Sequence, residues 1–411
     1  MPDGAGRATM RTMKNPARLD LFLNVGHFVD HLAMLIFPTA VLAIGAAWQR
    51  SYSELLPLAL GGFIAFGAFS IPAGWLADHW SRSGMMKLFF FGIGTATILT
   101  GFARTPVELA LGLTAIGMFA AIYHPVGIAM LVSNQPNLGR TLGVNGVWGN
   151  AGLAFAALLT GALADLAGWR VAFLVPGALC IAAGFGFVWA ARGIALGKGA
   201  VKKAQARLPR ALLARVFLVV AVATACGGLI FNATTVSMPK VFDERLAALA
   251  DTNFGIGLLV CATYLIAAMA QLLVGWWMDK KSVKSVFVVV ALMQVPLLLA
   301  AGSLSGYAML AVAVAMMFFV FGQIPINDAM IARYTADEWR ARAYSVRYVV
   351  SFGASATAVP LIAWVHRTYG DFQPLFALLA AVAVLTLISA LAFPGERVTA
   401  GATAPAKAAA G

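Results

Sequence analysis

Long stretches of apolar residues, separated by short polar segments, are the dominant pattern of this chain. Four stretches of 23 to 27 residues contain no Asp, Glu, Lys or Arg: 55–77, 141–164, 216–239 and 252–278. An α-helix crosses the hydrocarbon core of a bilayer, roughly 30 Å thick, in about 20 apolar residues. Each of these stretches therefore predicts one transmembrane helix.

The remaining apolar segments predict eight more helices. Segments 109–139 and 372–395 each predict one helix, and 285–327 predicts two helices around a turn at 302–306. Four shorter segments add one helix each: 20–46, 86–103, 170–191 and 343–365. The hydrophobic pattern therefore predicts an all-α membrane protein with twelve transmembrane helices.

Composition agrees with this class of protein and argues against several others. Hydrophobic residues make up 61% of the 411 residues and charged residues 11%, with a mean hydropathy of +0.86. A soluble domain is usually near 25% charged, so a water-soluble enzyme, a disordered chain and a nucleic-acid-binding protein are all disfavoured. The net charge of +13 therefore indicates that the basic residues contact anionic membrane lipids.

The distribution of Lys and Arg predicts how the protein lies in the membrane. With the N terminus in the cytoplasm, 23 of the 29 Lys and Arg residues fall on the cytoplasmic side, which the positive-inside rule favours. Both termini are then cytoplasmic, and the expected location is a bacterial inner membrane. The predicted parts are a cytoplasmic tail, a six-helix half, a basic cytoplasmic linker, a second six-helix half and a disordered cytoplasmic tail: 1–19, 20–191, 192–210, 211–393 and 394–411.

An internal repeat relates the two predicted halves. The segment Gly-Trp-Leu-Ala-Asp at 74–78 recurs 201 residues later as Gly-Trp-Trp-Met-Asp at 275–279, each time at the end of a second helix. A shift of 200 places Pro125 of the fourth helix on Pro325 of the tenth. Two six-helix halves in parallel repeat are the plan of a secondary transporter whose solute site lies between the halves.

The loop after the second helix points to a family. Residues 74–83 read Gly-x-x-x-Asp-His-x-Ser-Arg-Ser, which resembles the G-x-x-x-D-R/K-x-G-R-R/K loop of the major facilitator superfamily, with a weaker copy at 275–280. The resemblance covers essentially the whole chain. It implies a gating latch formed by six residues: Gly74, Asp78, Arg82, Gly275, Asp279 and Lys280. Simple helix capping by Asp78 is the alternative interpretation.

Within the superfamily, three short motifs resemble the fosmidomycin-resistance branch. They are Gly-His-Phe at 26–28, Tyr-His-Pro-x-Gly at 123–127 and Gly-Asn-x-Gly-x-Ala at 149–154. This resemblance implies alternating access and efflux of a small organic solute in exchange for protons.

Ionisable residues at membrane depth are the strongest candidates for chemistry, because they are costly there unless paired or hydrated. The spacing of Asn24, His27, Asp30 and His31 places them on one face of the first helix. A histidine titrates near neutral pH, and Asp30 can hold or pass its proton. The predicted proton-coupling residues are His27, Asp30, His31 and His124.

Two other interpretations of this face remain open. His27 and His31 have the i,i+4 spacing of a metal chelate, but no thiol lies nearby, so no metal site is predicted. The same polar groups could instead be hydrogen-bonded between helices without a role in transport. The sequence contains no nucleotide-binding loop, so neither a cofactor nor an enzymatic activity is predicted.

Polar residues on several helices are candidates for binding the solute. Pro125 removes a backbone donor beside His124 and predicts a bend that lines a cavity, which Pro325 repeats. In the eleventh helix, Arg347 can bind an anion, pair with Asp328 or reach the cytoplasmic headgroups. The predicted solute-binding residues are Asn24, Asn145, Trp148, Gln323, Asn327, Asp328, Tyr344, Arg347, Tyr348 and Ser351.

The predicted function is proton-coupled secondary transport of a small organic solute, with efflux of a drug or metabolite as the preferred direction. Uptake of an organic anion by proton symport is the alternative, and a membrane receptor or assembly factor that transports nothing is a remote one. The predicted partners are the solute, protons and membrane lipids, and the protein is expected to be a monomer.

Overall fold

The computed structural model describes residues 16–133, 138–192, 210–334 and 337–395. For residues 332–334 and 337–349 it describes the course of the backbone alone. Most of the predicted tails and of the predicted linker lies outside the described residues.

Twelve helices, α1 to α12, account for almost all of the described chain. Eleven of them qualify as membrane spans by length and apolar composition, and α11, with 33 residues, is the twelfth helix. The predicted all-α fold with twelve helices is therefore confirmed. In chain order the helices are α1 (Pro16–Met34, then Ile36–Trp48), α2 (Tyr52–Leu55, a 3₁₀ turn Leu56–Ala59, then Leu60–His79), α3 (Arg82–Gly101), α4 (Pro106–Ala120, a π-turn Tyr123–Gly127, then Ile128–Val132), α5 (Leu138–Ala167), α6 (Val171–Ala190), α7 (Arg210–Arg245), α8 (Asn253–Lys280), α9 (Val283–Ala301), α10 (Gly306–Tyr334), α11 (Asp337–Tyr369) and α12 (Gln373–Ala392).

Prolines explain where α1 and α4 depart from regular helical geometry. Helix α1 is interrupted at Leu35, which has φ −110° and ψ 10°. Pro38 follows three residues later, and a proline ring clashes with the carbonyl four residues before it. In α4, Pro125 likewise lacks a backbone donor, and the chain widens into the π-turn Tyr123–Gly127. The bend predicted at His124 lies in this turn.

Helix packing follows the same pattern twice. Helix α1 packs on α5, α2 on α4 and α3 on α6, while α7 packs on α11, α8 on α10 and α9 on α12. Contacts between the two groups run mainly along α5 with α8 and along α2 with α11. If each helix of the first group corresponds to the helix six places later in the chain, α5 corresponds to α11 and α2 to α8. The α5–α8 contact is then equivalent to the α11–α2 contact, as expected for a parallel repeat.

One side of the bundle is sealed where α5 meets α8. Asp165, near the end of α5, accepts hydrogen bonds from the side-chain nitrogen of Asn253 and from the backbone nitrogen of Phe254, each at 2.6 Å. The carboxylate belongs to the first six-helix group and thereby caps the N terminus of α8 in the second group. Negative charge is favourable at the N terminus of a helix. We name this side, at which α1 ends, the closed face, and the opposite side, at which α1 begins, the terminal face.

Close backbone approach seals the closed face further. A Cβ atom added to Gly161 of α5 would lie 2.1 Å from the carbonyl oxygen of Asn253, and one added to Gly257 of α8 would lie 2.4 Å from a backbone oxygen of α5. Where α2 meets α11, Arg367 donates to the carbonyl oxygen of Ser53 at 3.0 Å. The two six-helix groups therefore touch here through backbone as well as through charge.

Arg245, at the end of α7, joins three elements of the second six-helix group. Its guanidinium donates to the carbonyl oxygen of Ala301 at the end of α9 and to Oδ1 of Asp371 between α11 and α12, each at 2.5 Å. Burial opposes ionisation of Asp371, but the hydrogen bond and charge of Arg245 and two backbone N–H groups lower the pKa of this carboxyl below its usual value.

Replacing Arg245 by alanine is expected to lower the thermal stability of the protein at neutral pH. A hydrogen bond to a charged group contributes about 1.5–3 kcal/mol, and the variant loses the bond to Asp371. Because the pKa of Asp371 is lowered in the folded state, the contribution of this pair is complete above about pH 4 and is lost as the pH falls through the lowered pKa. Thermal unfolding at neutral and acidic pH checks this, with the exposed Arg104→Ala as control. A destabilisation by Arg245→Ala that does not shrink in acid would contradict it.

Candidate functional site

Three imidazoles from two helices meet in the interior of the first six-helix group. Helix α1 supplies His27 and His31, and the π-turn of α4 supplies His124. The ring centroids of His27 lie 4.9 Å from His31 and 5.3 Å from His124, and those of His31 and His124 are 5.7 Å apart. We name these three residues the histidine cluster. The structure thus brings His124 to the polar face of the first helix.

A hydrogen bond to the α5 backbone sets the tautomer of His27. Its Nδ1 lies 2.7 Å from the carbonyl oxygen of Asn145. A carbonyl only accepts, so Nδ1 carries the hydrogen of the neutral ring and Nε2 presents a lone pair. Nε2 of His31 lies 3.1 Å from Nε2 of His27, so His31 donates to it. The two imidazoles form a short hydrogen-bonded chain that begins at α5.

Asp30 lies beside the histidine cluster and is fully buried. Its exposed fraction is 0%, and its Oδ2 lies 3.5 Å from Nε2 of His124. Neither carboxyl oxygen has a hydrogen-bond partner among the described residues. Burying an ionised carboxylate is very unfavourable unless an opposite charge lies close to it. The His124 imidazole is placed to provide that charge when it is protonated.

A second polar network adjoins the histidine cluster and includes Tyr123, which was not among the predicted site residues. The side-chain nitrogen of Asn145 donates to Oδ1 of Asn24 at 2.9 Å and to the hydroxyl of Tyr123 at 2.8 Å. The Tyr123 hydroxyl in turn donates to a backbone carbonyl of α1 at 2.9 Å. Its ring stacks on His27, with centroids 4.9 Å apart. The proline-containing motif around Tyr123 was the available sequence signal.

Glycines of α5 make room for α1 at this point. A Cβ atom on Gly149 would lie 2.6 Å from Nε2 of His27, and one on Gly152 would lie 2.1 Å from the carbonyl oxygen of Phe28. Trp148, predicted to bind the solute, packs edge-on against the ring of Phe28 with centroids 6.5 Å apart. The glycines therefore fix the distance between α1 and α5, and Trp148 contacts α1 through Phe28.

In the second six-helix group, α10 carries three predicted solute-binding residues, which differ in burial and in hydrogen bonding. Nε2 of Gln323 donates to the carbonyl oxygen of Ala223 at 3.1 Å, and its Oε1 accepts from Gln294 at 2.9 Å. Asn327 is buried, and its Oδ1 has no hydrogen-bond partner among the described residues, while Asp328 is half-buried. Gln323 is thus engaged in contacts that join α7, α9 and α10.

Three predicted residues of α11 lie outside the side chains that the structure describes: Tyr344, Arg347 and Tyr348. Ser351 is half-buried, and its carbonyl oxygen accepts from the hydroxyl of Ser355 at 2.7 Å. The Ser355 hydroxyl also accepts from the side-chain nitrogen of Asn232 on α7 at 2.6 Å. Asn232 is a polar interior residue that the sequence analysis did not single out.

The charged residues of the predicted gate lie on the terminal face. Arg82 donates to Oδ1 of Asp78 at 2.9 Å, within the first six-helix group. In the second group Asp279 is exposed, and Nζ of Lys280 lies 4.0 Å from the ring centroid of Trp276. Asp78 and Arg82 therefore form an ion pair within one helix–loop segment.

The two glycines of the predicted gate have space around them. A Cβ atom added to Gly74 would meet Pro125 at 3.4 Å, which is ordinary contact, and one added to Gly275 would meet nothing within 4 Å. Glycines in membrane helices often allow a close helix approach. In the conformation described, the tight glycine contacts between the two groups lie on the closed face instead.

Comparison with known proteins establishes the family. The model of the Major Facilitator Superfamily matches residues 23–250 and 246–410, two segments that overlap slightly and together span nearly the whole chain. The chain belongs to the Major Facilitator Superfamily. Transporters of this superfamily carry small solutes across membranes, so the protein is a multi-pass transporter and not an enzyme. The predicted superfamily is therefore confirmed.

Solved structures with this fold include a bacterial homologue of the human lysosomal transporter Spinster. Its inward-facing, unoccupied structure gives a TM-score of 0.70 at 15% identity, covering 92% of this chain and 97% of that chain. Its inward-facing, occupied structure gives a TM-score of 0.73 at 15% identity, covering 95% of this chain and 98% of that chain. At this identity the likeness shows the shared fold alone.

Among curated proteins, the puromycin resistance protein pur8 of Streptomyces alboniger is similar over a shorter stretch. The two are 31% identical over 110 residues, which is 26% of this chain and 22% of that protein. The chain thus spans about a fifth of the length of this relative, and what the relative acts on is a property of that protein.

Proposed function

We propose that this protein is a proton-coupled secondary active transporter of a small organic solute, in which segments 20–191 and 211–393 move against each other in alternating access. The observation that carries proton coupling is the environment of Asp30, a fully buried carboxyl without a hydrogen-bond partner among the described residues. Ionisable residues inside a membrane bundle are costly and commonly mark ion and proton pathways.

The histidine cluster is the proposed route of the proton to and from Asp30. Its carboxyl lies 3.5 Å from His124, whose ring lies against both His27 and His31. A protonated Asp30 is uncharged, whereas a deprotonated Asp30 needs an imidazolium beside it. A proton gained or lost by Asp30 and the histidine cluster taken together changes the net charge of the first half. Alternating access couples to this proton by changing the surroundings of Asp30, and with them the affinity of the site for the proton.

We further propose that the terminal face is cytoplasmic and that the described conformation is open towards the cytoplasm. The distribution of Lys and Arg supports this orientation. Asp165 and Gly161 join the two six-helix groups at the closed face, whereas Gly74 and Gly275 of the terminal face have space around them. Closure of the terminal face around the latch residues would then produce the outward-facing state.

The proposed solute site lies between α1 and α5 of one half and α10 and α11 of the other. The candidates remain those predicted from the sequence: Asn24, Asn145, Trp148, Gln323, Asn327, Asp328, Tyr344, Arg347, Tyr348 and Ser351. Efflux by antiport is the preferred mode, supported by the resemblance to the fosmidomycin-resistance branch and by the partial similarity to a puromycin resistance protein. Symport of an organic anion through Arg347 is the alternative.

Flux into proteoliposomes under an imposed pH gradient tests this function. Solutes for the assay are selected by thermal stabilisation of the purified protein, starting with puromycin and with a set of small organic anions, since a bound ligand raises stability. An antiporter accumulates the solute when the lumen is acidic, and a symporter does so when the outside is acidic. A solute that binds but gives the same flux with and without a gradient would overturn proton coupling, and binding without any flux would indicate a receptor.

Arg347→Gln tests the organic-anion alternative. If Arg347 holds the anion, the variant is expected to bind it about 10- to 150-fold more weakly, the equivalent of the roughly 1.5–3 kcal/mol of a charged hydrogen bond. Adding Asp328→Asn restores charge balance in the membrane but not the lost contact with the solute. Affinity is measured by titration on both variants, and near-normal affinity in the double variant would refute a role of Arg347 in binding.

A further inference from the structure

We propose that His27, His31 and His124 form a binding site for a divalent transition metal ion of the Zn²⁺ class. Each residue offers one imidazole nitrogen, and the three nitrogens lie within 4.8 Å of one another. The inference goes beyond the proposed function, because binding of a metal to the purified protein does not require that protons drive transport.

The distance between the first two ligands already suits a metal ion. Zn²⁺ binds imidazole nitrogen at about 2.0–2.1 Å in tetrahedral geometry, which places neighbouring ligand atoms about 3.3 Å apart. Nε2 of His27 and Nε2 of His31 are 3.1 Å apart. When an ion binds, the hydrogen of His31 moves from Nε2 to Nδ1, so that this imidazole stays neutral and the ion lies between the two Nε2 atoms. The His124 nitrogen, within 4.8 Å of the other two, would complete the site by a rotation of its ring.

The surroundings of His27 prepare it to be a ligand. Its Nδ1 donates to the carbonyl oxygen of Asn145, which fixes the lone pair on Nε2, the nitrogen that faces His31. Histidine ligands of metals almost always donate their other nitrogen in this way, since the hydrogen bond fixes both tautomer and orientation. Gly149 leaves the space that the Nε2 edge of this ring occupies.

Asp30 supplies an independent observation that points to a cation. Both of its oxygens are buried and have no hydrogen-bond partner among the described residues, and one lies 3.5 Å from Nε2 of His124. A divalent ion in the histidine cluster would balance this buried charge. In the proposed site, Asp30 is the outer-shell carboxylate that orients His124, as carboxylates do behind many metal-bound histidines.

The ligand set selects the class of metal. Three neutral imidazoles suit Zn²⁺, Co²⁺, Ni²⁺ and Cu²⁺, whereas Mg²⁺ and Ca²⁺ prefer sites built of oxygen ligands. His31 and His124 are each partly exposed, while His27 is buried. The structure therefore presents three ligands, two of which are not fully enclosed by protein.

Titration of the full-length protein with Co²⁺ and Zn²⁺ tests this site. The protein is purified in detergent with a tag that contains no histidine and is treated with a chelator. We expect one Co²⁺ per chain with the visible absorption of a tetrahedral complex, displaced by Zn²⁺. His31→Ala and His124→Ala are expected to lower Zn²⁺ affinity by more than about 100-fold, and Asp30→Asn by about 10- to 100-fold, as for other outer-shell partners.

His79→Ala is the matched control, since His79 is exposed and its Nδ1 bonds to the backbone of its own helix. This control should bind Zn²⁺ like the unmodified protein. Absence of stoichiometric Co²⁺ and Zn²⁺ binding by the unmodified protein would overturn the proposal whatever the variants do. Equal affinity in a folded variant lacking all three histidines would also overturn it, because the ion would then lie elsewhere. Neither result bears on transport by Asp30, which is measured as flux.

Discussion

Replacing Asp30 by asparagine is expected to abolish proton-driven accumulation of the solute while solute binding and downhill exchange persist. Asparagine keeps the shape of the side chain but cannot gain or lose the proton. A gradient of one pH unit stores about 1.4 kcal/mol per proton, which supports about tenfold accumulation for one coupled proton. The variant should therefore reach a concentration ratio near one under a gradient that gives about tenfold accumulation in the unmodified protein.

The matched control for this experiment is Asp251→Asn, the same substitution at an exposed position on the closed face. It removes one carboxyl without touching the histidine cluster, so accumulation should be unchanged. Measuring solute exchange at equal pH on both sides separates loss of coupling from loss of folding. Uphill accumulation by Asp30→Asn at the unmodified level would show that the proton takes another route.

The helices were predictable because a membrane imposes a length on each one. The charge-free run 141–164 predicts α5, and the structure places it within Leu138–Ala167. The repeat was predictable for a similar reason, since segments such as 74–78 and 275–279 end equivalent helices. These features depend on local sequence and on spacing, and both can be read without knowing how the helices rotate against each other.

The histidine cluster was only partly predictable. Helical spacing placed His27 and His31 on one face, but the contact of His124 with that face joins residues about 100 positions apart and depends on helix rotation. The role of Tyr123, which stacks on His27 and bonds to Asn145, depends on the π-turn that shifts its register. A periodic pattern assumes regular helices, so it misses residues placed by such a turn.

The sequence does not predict which side of the bundle is closed. A transporter populates at least two conformations, and the pattern of apolar residues is the same in both. The hydrogen bonds of Asp165 join α5 to α8 in the described conformation, and moving these helices apart would break them. Nothing in the local sequence distinguishes such a residue from an ordinary polar residue at the end of a helix.

Replacing Gly161 by alanine is expected to open the closed face. The new Cβ atom would lie 2.1 Å from the carbonyl oxygen of Asn253, and backbone on both sides leaves α5 and α8 no way to absorb the overlap except by moving apart. Overpacking of this kind typically costs about 1–3 kcal/mol. Since the penalty applies to the closed arrangement and not to the open one, the population ratio should shift about 5- to 150-fold towards opening.

Gly143→Ala is the matched control, because it lies in the same helix and its added Cβ meets nothing within 4 Å. Both substitutions raise helix propensity equally, so the difference between them isolates the clash. Distances between spin labels at Arg50→Cys and Asp251→Cys, in a chain without Cys180, Cys226 and Cys261, report the separation of the two halves at this face. A longer distance in Gly161→Ala alone is the expected result. If the two alanine variants give the same distance distribution, then the close approach at Gly161 does not hold the closed face shut, and that role falls to the other contacts of this face, those of Asp165 and Arg367.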